Sequence, residues 1–310
     1  MTTRREFLYT ISCSVAGASV LGSVSFDSFA QVAGSATMLK RPIHSSGERL
    51  PAIGMGTSGS FEVRPGSAEH QMLKDVLKRF FDGGGTLIDT APTYSNAEEI
   101  LGPLLEEGGW RKQAFLATKL SRVRGRAEGM AQFDKTLKDL RTDKVELLQV
   151  HNLGDWQTQI EVARELKKQG KKKYDGVPHF TDAAQDALAD VVQQTKPDFL
   201  QINYSVTARG AEKRVLPMAK DLGVAVLTNR NFNDGALFER VRNVELPGWA
   251  ADIGVTSWAQ MFLKFALSHE AVTAVIPATG KPDRQSDNLK AGSGPLLDAK
   301  QKAELIALLA

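Results

Sequence analysis

TLIDTAPTYSNAEE, residues 86–99, opens with a short apolar run that stops at a carboxylate, Asp89, and places Tyr94 five residues further on. Two other runs stop the same way: AFLATK, from Ala114, ends on Lys119, and VELLQV, from Val145, is followed directly by His151. Runs this short and this apolar read as strands covered on both faces, the pattern of a parallel sheet. A parallel barrel gathers the carboxyl ends of consecutive strands at one mouth, so Asp89, Tyr94, Lys119 and His151 are expected to face one cavity.

Working outward, AIGMGT from Ala52, KYDGV from Lys173, FLQIN from Phe199, VAVLT from Val224 and TAVIP from Thr273 bring the strands to eight. Amphipathic stretches lie between them. In EHQMLKDVLKRFFDGG, Met72, Leu73, Val76, Leu77, Phe80 and Phe81 follow helical spacing and Gly83 ends the helix. AEGMAQFDKTLKDL, TQIEVARELKKQG, AAQDALADVVQQT and AEKRVLPMAKDLG read alike. Strict alternation predicts the α/β class and a (β/α)8 TIM barrel, one domain over residues 31–310, near the ~250 residues usual for that fold. LKRPIHSSGERL, residues 39–50, reads as an N-terminal β-hairpin capping the barrel floor. Asn229 to Gly254, rich in Asn, Gly and Pro, reads as a long loop with a short helix. Gly54-Met55-Gly56-Thr57-Ser58-Gly59 satisfies the G-x-G-x-x-G pattern, but SFEVRPG follows where a dinucleotide fingerprint needs a helix.

Residues 1–30 stand apart. Arg4 and Arg5 precede a weakly apolar, Gly- and Ser-rich stretch from Tyr9 to Val24, and Ser28-Phe29-Ala30 offers small residues for cleavage. This resembles a twin-arginine export signal. It implies recognition by the export machinery through Arg4 and Arg5, cleavage near Ala30, a periplasmic location and no stable membrane association afterwards. The only cysteine, Cys13, falls in that segment, which leaves the mature chain no thiol for a disulfide, a metal or nucleophilic catalysis. A formal charge of +3 is too small an excess to suggest nucleic acid as a partner. KKQGKKK, residues 167–173, reads as a solvated helix end. The histidines His44, His70, His151, His179 and His269 show no metal-ligand spacing, so a metal-dependent barrel hydrolase lacks its ligands.

The four rim residues form a coherent chemical group. A phenol, with an ordinary pKa of ~10, is a reluctant acid at neutral pH. An adjacent ammonium is expected to lower that value, and a buried carboxylate keeps the ammonium charged and aimed. His151 can hydrogen-bond the oxygen that receives the proton.

GMGT, LIDTAPTYSNAEEILG, FLATK, ELLQVHN, LQINYS and VIPATGKPDRQSDNL, in that order, resemble the aldo-keto reductases across residues 39–310. The resemblance implies Tyr94 as proton donor, Lys119 and Asp89 as the groups that tune it, and His151 as the residue that orients the carbonyl. It implies NADPH lying across the barrel mouth and giving hydride to a small aldehyde or ketone, or taking it back from an alcohol. Gln201 then matches the residue that holds the nicotinamide carboxamide, and Gly56 and Thr57 a backbone contact. Thr279, Lys281, Arg284 and Asn288, at a helix start, suit the phosphates, since amides, a hydroxyl and a guanidinium make an anion site. Three departures stand out. Ala278 replaces a lysine, which leaves NAD(H) open beside NADP(H). Pro178 replaces a hydroxyl residue and donates nothing, so His179 becomes the candidate donor to the carboxamide. Asn229-Arg230-Asn231-Phe232 stands where relatives place an aromatic ring. The substrate pocket is expected to be open, bounded by the loops after Lys119, Asn152 and Thr228, with Trp156, Trp249 and Phe232 as candidate walls. The competing function is an NADP(H)-binding sensor, or a weakly active protein, that retains the reductase site.

Overall fold

The computed structural model describes residues 37–310, and the expected export signal lies outside the described residues. A hairpin comes first, with β1 (Lys40–Pro42) antiparallel to β2 (Arg49–Pro51). Eight parallel strands follow: β3 (Met55–Gly56), β4 (Leu87–Asp89), β5 (Phe115–Leu120), β6 (Val145–Val150), β7 (Lys172–Pro178), β8 (Phe199–Asn203), β9 (Ala225–Asn229) and β10 (Val272–Val275). Each pairs with the next, and parallel bridges Ile53–Val275 and Gly56–Ala278 join the last strand to the first. The result is the (β/α)8 barrel that the alternating runs predict.

Helices α1 (Ala68–Asp82), α2 (Ala97–Glu107), α3 (Gly125–Asp139), α4 (Trp156–Lys168), α5 (Gln185–Thr195) and α6 (Val215–Asp221) occupy the crossovers from β3 to β9. The long segment after β9 holds the short α7 (Ala236–Arg240) and then α8 (Trp258–Leu267); α9 (Pro282–Lys290) and α10 (Ala299–Leu308) follow β10. The glycine pattern at residues 54–59 serves closure of the barrel. A Cβ on Gly56 would stand 3.0 Å from the carbonyl oxygen of Ile276 and 3.4 Å from the Ala278 Cβ, and α1 begins only at Ala68.

Period-two alternation sorts each strand into a lumen face and a helix face. Leu87, Phe115, Ala117, Leu147, Tyr174, Phe199, Ala225, Leu227, Ala274 and Ile276 form one buried cluster inside the barrel, joined by Ile43 and Leu50 of the hairpin. The rings of Phe115, Tyr174 and Phe199 sit 5.5 to 5.9 Å apart at its base. The Tyr174 hydroxyl donates to Glu48 Oε2 at 2.7 Å and meets Ser46 Oγ at 2.6 Å, which latches the hairpin over the floor. Arg41 adds bonds to the carbonyls of Leu267 (2.6 Å) and His269 (3.1 Å). The lysine run 167–173 spends much of its charge locally: Lys167 meets Asp198 at 3.0 Å, Lys171 meets Asp134 at 3.2 Å and Lys173 meets Glu48 at 2.6 Å. Lys172 departs from the solvated reading. It is buried beside Asp175, and burial lowers its pKa to about 7.

Candidate active site

The lumen face turns polar one alternation above the apolar floor. Leu87, Ala117, Leu147, Phe199 and Leu227 are followed, two residues on, by Asp89, Lys119, Gln149, Gln201 and Asn229. Lys119 Nζ lies 2.7 Å from Asp89 Oδ2 and donates to the carbonyl of Thr90 at 2.7 Å. Asp89 Oδ1 accepts from Gln149 Nε2 at 3.0 Å and from Gln201 Nε2 at 2.9 Å. The pair is dry, with side chains 0% and 4% exposed, and a buried pair persists only when its remaining lone pairs and protons are satisfied. Here the two amides and the Thr90 carbonyl do that. Gly176 makes room for one of them, since a Cβ there would stand 2.8 Å from Gln149 Cγ.

Tyr94 stands on the turn after β4, and Lys119 Nζ is 5.0 Å from the centre of its ring. The Tyr94 pKa is raised, against the expectation of a lowered one. Burial is the largest cause, and the Lys119 ammonium only partly offsets it. The phenol is therefore held as the protonated acid. Burial works against the charge on Lys119 too, but the Asp89 carboxylate beside it favours the ammonium, and the lysine's pKa is raised.

The His151 ring stands edge-on to Tyr94, with centroids 6.1 Å apart. Burial first, then the positive charges around it, push its pKa down to about 3, so the imidazole is neutral at ordinary pH. Its Nδ1 meets Ser121 Oγ at 2.7 Å. Gln132 grips the Ser121 backbone on both sides, Oε1 accepting from N at 2.7 Å and Nε2 donating to O at 2.9 Å. A hydroxyl proton given to Nδ1 leaves the other proton on Nε2, where His151 becomes a donor toward the cavity.

All four residues except the buried Lys119 line a cavity of about 990 Å³, which also reaches Gly56, Thr57, His179, Gln201, Thr279, Arg284 and Asn288. Lys281 is the exception among the expected coenzyme residues. It is the exposed N-cap of α9, its backbone N–H bonds Thr279 Oγ1 at 3.2 Å, and it is not among the residues that line the cavity. Thr57 gives its N–H and hydroxyl to the Asp89 carbonyl, at 3.0 and 3.2 Å, so it braces β4. Phe232 lines the cavity with Phe238, rings 5.0 Å apart; Trp156 and Trp249, the other two candidate walls, pack against the core.

Residues 52–310 match the Aldo/keto reductase family model. The chain belongs to that family. Over 60% of its length it is 33% identical to the aldo-keto reductase YhdN of Bacillus subtilis, of which it spans 59%. It is 26% identical to the NADH-specific methylglyoxal reductase of Escherichia coli over 69% of this chain and 73% of that one. A crystal structure of an aldo-keto reductase from Klebsiella pneumoniae in complex with NADPH superposes with a TM-score of 0.75 at 25% identity, covering 88% of this chain and 96% of that one.

In this aldo-keto reductase, Pro178, His179, Gln201 and Asn229 lie together on one wall of the cavity. The Gln201 amide gives one of its two protons to Asp89 Oδ1, while the residue itself lines the cavity. Beside it, Asn229 Nδ2 donates to the His179 carbonyl at 3.2 Å, while its buried Oδ1 has no partner. His179 Nδ1 accepts from the Phe180 N–H at 3.0 Å, which puts the ring proton on Nε2. His179 Nε2–H is thus the donor that this wall of the cavity offers. Gln149, Ser121 and Asn229 were not anticipated from the sequence. Gln149 carried a readable signal, a polar residue in lumen register inside an apolar run; the other two depend on contacts across strands.

Proposed function

We propose that this protein is an exported NADPH-dependent aldo-keto reductase that reduces a small aldehyde or ketone, with Tyr94 as the general acid. The observation that carries the reading is a protonated phenol beside a buried ammonium, on the wall of a cavity shared with a neutral, donor-ready histidine. The bound coenzyme would supply hydride to the carbonyl carbon. Everything else falls to the chain's own groups. His151 Nε2–H is placed to hold the carbonyl oxygen, and Tyr94 to give it a proton as charge develops. Lys119, kept charged by Asp89, stabilises the phenolate left behind. Arg284, Thr279 and the amino end of α9 would hold phosphate, with His179 and Gln201 at the carboxamide. The NADH-specific relative and the missing cation at Ala278 keep NADH as a second donor to be assayed.

Tyr94→Phe is expected to keep NADPH affinity, read by fluorescence titration, and to lose about 10²–10⁴-fold in kcat. Full turnover in that variant would refute the assignment. Tight NADPH binding with no single-turnover reduction of any aldehyde would instead indicate the sensor reading. Export is supported by Arg4 and Arg5 ahead of the Ser- and Gly-rich stretch. Lysine at both positions is expected to abolish recovery from the periplasmic fraction.

A further inference from the structure

Arg122 sits on the loop after β5, three residues beyond Lys119, and lines the same cavity as Tyr94 and His151. Other charges at this cavity, Arg284 apart, are answered within the protein. Lys119 holds Asp89 at 2.7 Å, Arg230 holds Asp234 at 3.1 Å, and Asp287 accepts from Ser257 and Gln260 at 2.5 and 2.6 Å. Arg284 stands at the α9 end assigned above to phosphate. Arg122 has no carboxylate, carbonyl or ring partner among the described residues. It adds to the positive field, after burial, Lys119 and His179, that keeps His151 neutral, so it stands within electrostatic reach of the reacting centre.

Its backbone is a second observation. Arg122 has φ +55°, in the left-handed region where a Cβ is strained and glycine is at ease. Such strain gathers at ligand sites, although Arg141 and Lys196 hold the same conformation away from the cavity. Here the side chain is a guanidinium without a protein partner on the wall of the cavity that holds Tyr94 and His151.

We infer that Arg122 anchors the substrate and that the carbonyl compound carries a carboxylate apart from the carbonyl being reduced. The inference rests on the reductase reading and narrows it. A guanidinium presents two parallel donors matched to a carboxylate's two oxygens, so one such residue selects both charge and geometry. Because Arg122 is exposed, the attraction is partly screened and falls with added salt. A neutral aldehyde would leave the charge unanswered.

The test compares 4-carboxybenzaldehyde with its methyl ester, using NADPH and the full chain. The expected result is a kcat/KM preference of about tenfold for the acid, arising mainly in KM and shrinking as salt is raised. Arg122→Gln should bring the ratio toward one, and Arg122→Lys should keep part of it. Arg122→Gly should also lose the preference while raising Tm by a few degrees, roughly what relief of one strained residue allows. Equal kcat/KM for acid and ester in the unaltered protein, or a ratio that survives Arg122→Gln, overturns the inference and leaves the reductase reading standing. Failure to oxidise NADPH with either aldehyde overturns both.

Discussion

At the scale of single residues, burial decides protonation here more than the neighbouring charge does. Removal from water pushes the Tyr94 pKa up more than Lys119 pulls it down, so the phenol keeps its proton through neutral pH. Reduction should therefore be nearly flat from about pH 6 to 8, while alcohol oxidation, which needs the phenolate, should rise with pH; stopped-flow rates in both directions check this. His151 makes a further prediction through linkage. In the unfolded chain an imidazole takes up a proton near ~6.5, whereas in the fold it does so only at about 3. Between those values the unfolded state binds more protons, so the residue's contribution to stability is lost as pH falls through that window. The Tm of the parent protein should drop more steeply between pH 6.5 and 4 than that of His151→Gln, and parallel curves would contradict it. Ser121→Ala, which takes away the partner of Nδ1, should cost about tenfold in kcat with little change in NADPH affinity, since it frees the other tautomer.

At the scale of elements, the strands place chemistry by register. Where apolar runs stop was enough to pick out Asp89, Lys119 and His151, because a charged or polar residue next to a buried strand has few other reasons to be there. Following the alternation backward along β6 from His151 leads to Gln149, which run ends alone pass over. The helices obey a different constraint. Gly102 of α2 packs so close to the end of α3 that a Cβ would fall 2.2 Å from the Asp139 carbonyl oxygen and 2.7 Å from the Leu140 backbone. Gly102→Ala must push the two elements apart, and urea unfolding should show a loss of about 1–3 kcal/mol. Neither neighbour is near in sequence, so that need for glycine is invisible before the barrel closes.

For the whole molecule, the two ends of the barrel divide the work. The floor is sealed by stacked aromatic rings and by the hairpin latched through Tyr174 to Ser46 and Glu48. Tyr174→Ala empties that base and frees the hairpin, and should cost about 3–5 kcal/mol in chemical denaturation while sparing NADPH affinity. The rim is built the other way. Ser95, Arg122, Asn152, Asp155, Arg230 and Asp234, all in loops on the carboxyl side of the strands, hold positive φ without being glycine. Most of the strained residues lie where the cavity opens, Arg141 and Lys196 at helix ends being the exceptions, and packing collects where it is closed.

The sequence by itself determined the number of strands, their order around the ring, the hairpin at the start and the four residues gathered at the mouth. These depend on local periodicity and on where apolar runs stop, both of which are written along the chain. Only the tertiary structure decided that Tyr94 is a protonated acid, that Gln201 braces Asp89, that Lys281 is not among the cavity's lining residues and that Arg122 has no side-chain partner among the described residues. Each of those depends on what surrounds a group in three dimensions. Burial sets the cost of a charge and cross-strand distance sets who answers it, and neither quantity exists until the ring has closed.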